Sequence, residues 1–215
     1  MKKIAKDLIN NKYLNVRFSL NETFPYGSAL IDIVKECDSF TEFMLSPIYS
    51  RLTFTWCVLQ SFLEQKDIME SVNKVDVKKI INSVSFHKIN SEIYELEDLS
   101  KAVGIDFNVI NAKNTIPNIE KSDVLFLYFM MQDRTEIERE NEKNNIMCIL
   151  NDYEKLTGKY IVLYDRSFKS NNVDILREDK NNIKELVTEF LQQNHSWSFL
   201  SGYNTEYGFT VLKKR

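Results

Sequence analysis

Two apolar runs without polar interruption set the frame of this chain. Val124, Leu125, Phe126, Leu127, Tyr128, Phe129, Met130 and Met131 form the first, and Tyr160, Ile161, Val162, Leu163 and Tyr164 the second. A strand that meets water on one face alternates apolar and polar residues, whereas a strand covered on both faces does not. Neither run alternates, so both are predicted as buried strands. Between them Ile146, Ile149, Leu150, Tyr153 and Leu156 recur at helical spacing along one face. Glu136, Glu138, Glu140 and Glu142 crowd the first turns, where negative charge suits the positive end of the helix dipole. Lys155 falls in the last turn and Gly158 just past it, as a predicted C′ stop. The pattern predicts a strand–helix–strand unit with parallel strands at the centre of a sheet.

The flanking segments fit around that unit. Ile105, Phe107 and Val109 alternate with Asp106 and Asn108, which predicts a half-buried strand. Ile183, Leu186, Val187, Phe190 and Leu191 match the template of an amphipathic helix. Trp197 and Phe199, then Phe209 and Val211, alternate on either side of Gly202 and Gly208, which predicts a closing β-hairpin with a loop longer than two residues. The N-terminal side reads as helical. One helix is predicted from about Ala29 to Leu45, with a break near Asp38-Ser39. Another restarts at Ser46-Pro47, an N-cap serine followed by proline. A more polar one covers 67–83, with Val77, Ile80, Ile81 and Val84 on its buried side. The expected fold class is α/β (or α+β): a helical region over 1–104 packed with a mixed sheet over 105–215, in one compact unit.

Composition narrows the partners. A net charge of −3 shows no basic face, so a nucleic-acid partner is not indicated. Cys37, Cys57 and Cys148 form no C-x-x-C pair and no even framework, which suits a reducing cytoplasm. The basic N-terminal residues precede no apolar signal segment, and Phe43 to Leu63 is too polar to span a membrane. Lysine, asparagine and isoleucine are abundant, as in an AT-rich prokaryotic or phage gene.

The candidate ligand-binding residues are Asp133-Arg134 and Asp165-Arg166. Each pair follows one of the two apolar strands, so parallel strands would bring both to one sheet edge, where open α/β sheets bind ligands. Two carboxylates there could hold a metal or share acid–base work, and two guanidiniums could clamp a phosphate or carboxylate. Asp165 followed by Glu178-x-Lys180 resembles the PD-(D/E)xK nuclease pattern, but that E-x-K stands at the start of an expected helix rather than in a strand. Gly27-Ser28 and Asp38 match part of a nucleotidyltransferase pattern, which fails because position 40 is Phe40 rather than a second acid. His87 and His195 lack partners at zinc-ligand spacing, so no metal site is expected. Trp197, Tyr203 and Tyr207 are interface candidates, because such aromatics concentrate in binding hot spots. No cofactor can be named. The expectation is a binding protein without catalysis of its own, of an inhibitor, immunity or host-conflict type, with another protein as partner. The alternative is an enzyme processing nucleotides or phosphodiesters at the strand edge.

Overall fold

The two apolar runs lie side by side and point the same way. The structure is a computed structural model that describes residues 27–45, 79–85, 105–112, 118–129, 135–165, 181–200 and 209–215. Its elements in chain order are α1 (Gly27–Lys35), β1 (Ser39–Met44), β2 (Lys79–Ser85), β3 (Ile105–Asn111), β4 (Ser122–Phe129), α2 (Glu136–Tyr153), β5 (Thr157–Asp165), α3 (Asn181–Gln193), β6 (Trp197–Phe199) and β7 (Phe209–Lys214). A 3-10 turn, Glu154–Leu156, joins α2 to β5.

All seven strands form one mixed sheet in the order β3-β2-β1-β4-β5-β7-β6. The first five are parallel, and β7 runs antiparallel to both β5 and β6. The expected α/β class, the central βαβ unit and the closing hairpin are all present. The sheet takes strands from both sides of position 104, so β1 and β2 belong to the same layer as the C-terminal strands.

One face of the sheet meets α2 and α3. Phe43, Leu125, Leu127, Phe129, Ile161, Leu163 and Leu212 pack there against Ile146, Leu150, Ile183, Leu186 and Phe190. The other face carries Phe40, Ile81, Val124 and Tyr160, which share a row by register. On this side lies α1, because Lys79 and Tyr160 reach from this face to its C-terminal end. The helix α2 starts at Thr135, whose hydroxyl accepts from the Glu138 N–H while the Glu138 carboxylate accepts from the Thr135 N–H. This capping box satisfies two N–H groups that the helix leaves open.

Three local expectations change. The helix expected over 29–45 ends at Lys35, and 39–44 is a strand. The helix expected over 67–83 gives way to β2 at Lys79, the preceding residues lying outside the described set. Ile81 and Val84 are both fully buried but on opposite faces, Ile81 beside Phe40 and Val84 beside Phe43. Ile80, expected on the buried side, is 37% exposed while Lys79 and Ser83 are buried, so polarity does not follow the strand's burial and the apolar spacing imitates a helix. Gly158 is no helix stop, since it lies inside β5 and α2 ends through the 3-10 turn. The Ser46-Pro47 restart lies outside the described residues.

Candidate functional site

The strand order places one crevice. The chain passes outward from β1 to β2 and β3, then returns to β4 on the other side of β1 and continues outward to β5. The order thus reverses between β1 and β4, neighbours in the sheet but not in sequence. In open α/β sheets a ligand sits outside the carboxyl ends of the strands at such a switch point. The candidate site is the carboxyl edge of β1 and β4.

Register sets what stands there. On the α1 face, Met44, Tyr128 and Tyr164 form the top row across β1, β4 and β5. The two tyrosine rings are 5.6 Å apart, tilted by 41°. One residue pair below come Glu42, Phe126 and Val162. Glu42 is 1% exposed and accepts a 2.7 Å hydrogen bond from the Ser83 hydroxyl on β2. The β1–β4 ladder continues one step past β1, because the Leu45 N–H donates to the Tyr128 carbonyl at 2.9 Å. The chain has five glycines, and none lies between Gly27 and Gly104. The sequence that follows β1 thus holds no glycine, the residue that lets backbone approach a ligand closely.

The opposite, amino edge is a polar clasp. The Lys79 ammonium, 1% exposed, donates to the carbonyls of Val34 in the last turn of α1 and Cys37 just beyond it. Burial holds its pKa below the ordinary lysine value, and Asp38 pulls the other way. Burial also pushes the Cys37 thiol up to about 12, against the attraction of Lys159. Asp123 accepts from the Asp38 N–H at 2.9 Å and pairs with Lys159 at 3.5 Å. These groups tie α1, β1, β2, β4 and β5 together on the side away from the crevice. A polar groove between α2 and α3, lined by Lys143, Lys184, Glu185, Thr188, Glu189 and Gln192, opens on the surface elsewhere. Its Lys143–Glu189 ion pair accounts for two of those charges.

The residues predicted for a site fare unequally. Asp165 is the last residue of β5 and pairs in register with Phe129, the last of β4, so both strands exit on one edge as expected. Asp133, Arg134 and Arg166 lie outside the described residues, as do Tyr203 and Tyr207. Trp197 does not present an interface: it is 1% exposed, its indole N–H donates to Glu154 at 3.1 Å, and Lys214 lies over its ring. Its place is the core beneath α2 and α3. Glu42 and Met44 were missed because 29–45 reads as helix. The signal available was an acid inside the apolar stretch Phe40 to Leu45. Among the described residues, no three of His, Cys, Asp and Glu stand close enough to hold a metal. Also among them, no helix is long and apolar enough to cross a membrane.

No family model matches the chain, and no curated protein sequence does. Solved structures of partial similarity exist. The plantazolicin methyltransferase BpumL, in complex with SAH, is 12% identical with a TM-score of 0.48, over 98% of this chain and 90% of that one. A candidate caffeoyl-CoA O-methyltransferase from Staphylococcus aureus is 12% identical with a TM-score of 0.46, over 99% and 98%. A DhpI–SAM–HEP complex is 10% identical with a TM-score of 0.41, over 100% and 99%. At these identities and scores the likeness assigns no family and no residue role. It corrects the functional expectation all the same. The neighbours are methyltransferases or complexes with SAM or SAH, so neither a non-catalytic interaction protein nor a nucleotide- or phosphodiester-processing enzyme is retained.

Proposed function

We propose that the chain is an S-adenosylmethionine-dependent methyltransferase working in the cytoplasm, with donor and acceptor meeting at the carboxyl edge of β1 and β4. The strand order carries this reading: a doubly wound sheet reverses between β1 and β4, and a ligand crevice belongs at that reversal. The ligand class comes by analogy of fold with the neighbours named above. When bound, the donor supplies an electrophilic methyl group. It also carries an ammonium and a sulfonium, and the buried Glu42 carboxylate suits a cation. Near the edge the described side chains thus offer the donor a buried carboxylate beneath Met44 and no glycine cradle. Free thiols at Cys37 and Cys148 suit a reducing compartment.

Calorimetric titration of the full chain with S-adenosylmethionine and S-adenosylhomocysteine tests the reading. The expected result is saturable binding of both at one site, with a matching rise in melting temperature, since a ligand that binds the folded state stabilises it. Radiolabelled methyl groups should then pass to a component of the native cell extract. No binding heat and no melting shift at millimolar ligand would remove the reading.

A further inference from the structure

The sheet ends on one side in a long strand. β3 runs seven residues, Ile105–Asn111, with β2 on its inner side, and among the described residues no strand lies on its outer side. The open N–H and C=O groups of an edge strand template further pairing, so natural edges are blunted by shortness, proline, lysine or a bulge. The opposite edge, β6, is blunted in this way, with three residues. β3 holds no proline, lysine or glycine, and its register with β2 runs unbroken from Lys79↔Ile105 to Ser85↔Asn111. On the face shared by Asp106 and Asn108 the neighbouring Ile80 of β2 is 37% exposed.

The residues of β3 suit a second copy of the same strand. A two-fold axis perpendicular to the sheet runs the two strands antiparallel and sets residues of one face opposite residues of that same face, so one residue must lie on the axis. Full overlap of the seven residues puts Asn108 there. Phe107 then opposes Val109 of the second copy, an aromatic and β-branched pair of the kind that stabilises antiparallel sheets. Asp106 opposes Ile110, and the two Asp106 side chains stay roughly 14 Å apart along the strands. Parallel pairing in register would instead set Asp106 directly beside its own copy, a repulsive arrangement. Asn108 is exposed and donates to the Asn82 side chain at 3.1 Å. A carboxamide carries both donors and acceptors, so two copies of Asn108 facing each other across the axis can exchange hydrogen bonds.

We infer that β3 is a homodimer interface, joining two copies antiparallel about Asn108 into one continuous sheet. The inference is independent of the proposed function. β2 lies between β3 and the crevice at β1 and β4, which stays outside the interface.

Sedimentation of the full chain over a range of concentrations tests this, with Asn108→Lys, Asn108→Asp and a mixture of the two variants. The wild type is expected at twice the chain mass, dissociating on dilution. Each variant alone sets like charges face to face on the axis and should weaken the dimer by about tenfold or more. The mixture sets lysine against aspartate and should recover a one-to-one dimer. A wild type that is monomeric at every concentration overturns the inference. So does a dimer that both variants retain, or a mixture that stays monomeric. Hydrogen exchange of the wild type at high and low concentration carries the same test without a substitution, should either variant melt too low. Added protection over 105–111 at high concentration supports the interface, and protection gained only elsewhere, or nowhere, overturns it.

Discussion

The two edges of the sheet are built from different materials. At the amino edge, Lys79, Asp38, Asp123, Lys159, Glu36 and Tyr160 join a helix end to four strands. The bonds are short, including 2.7 Å from Lys79 to the Cys37 carbonyl and 2.6 Å from Tyr160 to Glu36. At the carboxyl edge the described row is Met44, Tyr128 and Tyr164, with the Leu45–Tyr128 bond closing the ladder. A directional polar network fixes one arrangement, because each partner lost leaves another unsatisfied. An apolar and aromatic row tolerates exchange of side chains of similar volume. The contrast teaches which edge holds the fold in one arrangement and which can exchange its side chains.

Substitution at the clasp should therefore cost far more stability than at the opposite edge. Lys79→Met keeps most of the stem but removes the donor to two carbonyls. Each buried carbonyl left open costs roughly 1–3 kcal/mol, so a total loss of about 3–5 kcal/mol is expected once altered packing is included. Met44→Leu, a swap of similar volume at the other edge, should cost less than about 1.5 kcal/mol. Urea denaturation of the two variants measures the difference. Equal losses would erase the contrast between the edges.

Alkaline pH should strain the clasp next. The Cys37 thiol has an ordinary pKa of 9.0 and is held at about 12 in the fold. Between those values the folded state keeps a proton that the unfolded state releases, so this group's contribution is full below pH 9 and is lost as pH rises toward 12. Tyr153, raised by burial from 10.0 to about 12, adds a second loss that begins near pH 10. Lys79 acts in the opposite sense. Burial lowers its folded pKa, so its penalty fades as pH climbs to the ordinary lysine value. Stability of the wild type should thus begin to fall near pH 9, and that of Cys37→Ala only near pH 10. Melting temperatures measured at half-unit pH steps would show whether the onset moves.

What the sequence disclosed follows the same division. The pair β4 and β5 was legible because each run is long, apolar and separated by a helix with its own period. The edge strand β3 was legible too: Ile105 and Phe107 are buried while Asp106 and Asn108 are exposed, so alternation survived. β1 and β2 were not, since polar members such as Thr41, Glu42, Lys79 and Ser83 are buried while the apolar Ile80 is exposed, so residue polarity does not follow the strand's burial. A buried acid in a short strand looks like the polar face of a helix until its neighbours are known. The site shared that fate, because the crevice depends on β1, the strand misread as helix. Asp165 falls at the carboxyl end of β5, a position that depends only on the parallel pair.

Gly158 gives the smallest effect and the sharpest check on one of those misreadings. As a C′ helix stop it would hold a left-handed conformation, and any side chain there would cost stability. In the structure it lies in β5 beside the clasp, with a backbone outside the left-handed region. A Cβ added there would meet Asp123 Oδ1 and the Ser122 carbonyl at 3.5 Å, ordinary contact distance. Glycine loses more chain entropy on folding than alanine does, so Gly158→Ala at a compatible site should stabilise by roughly 0.4–1 kcal/mol. A loss of that size would instead return Gly158 to a helix end and detach the start of β5 from Asp123. The amino-edge clasp would then be one strand narrower than the register of β4 and β5 implies.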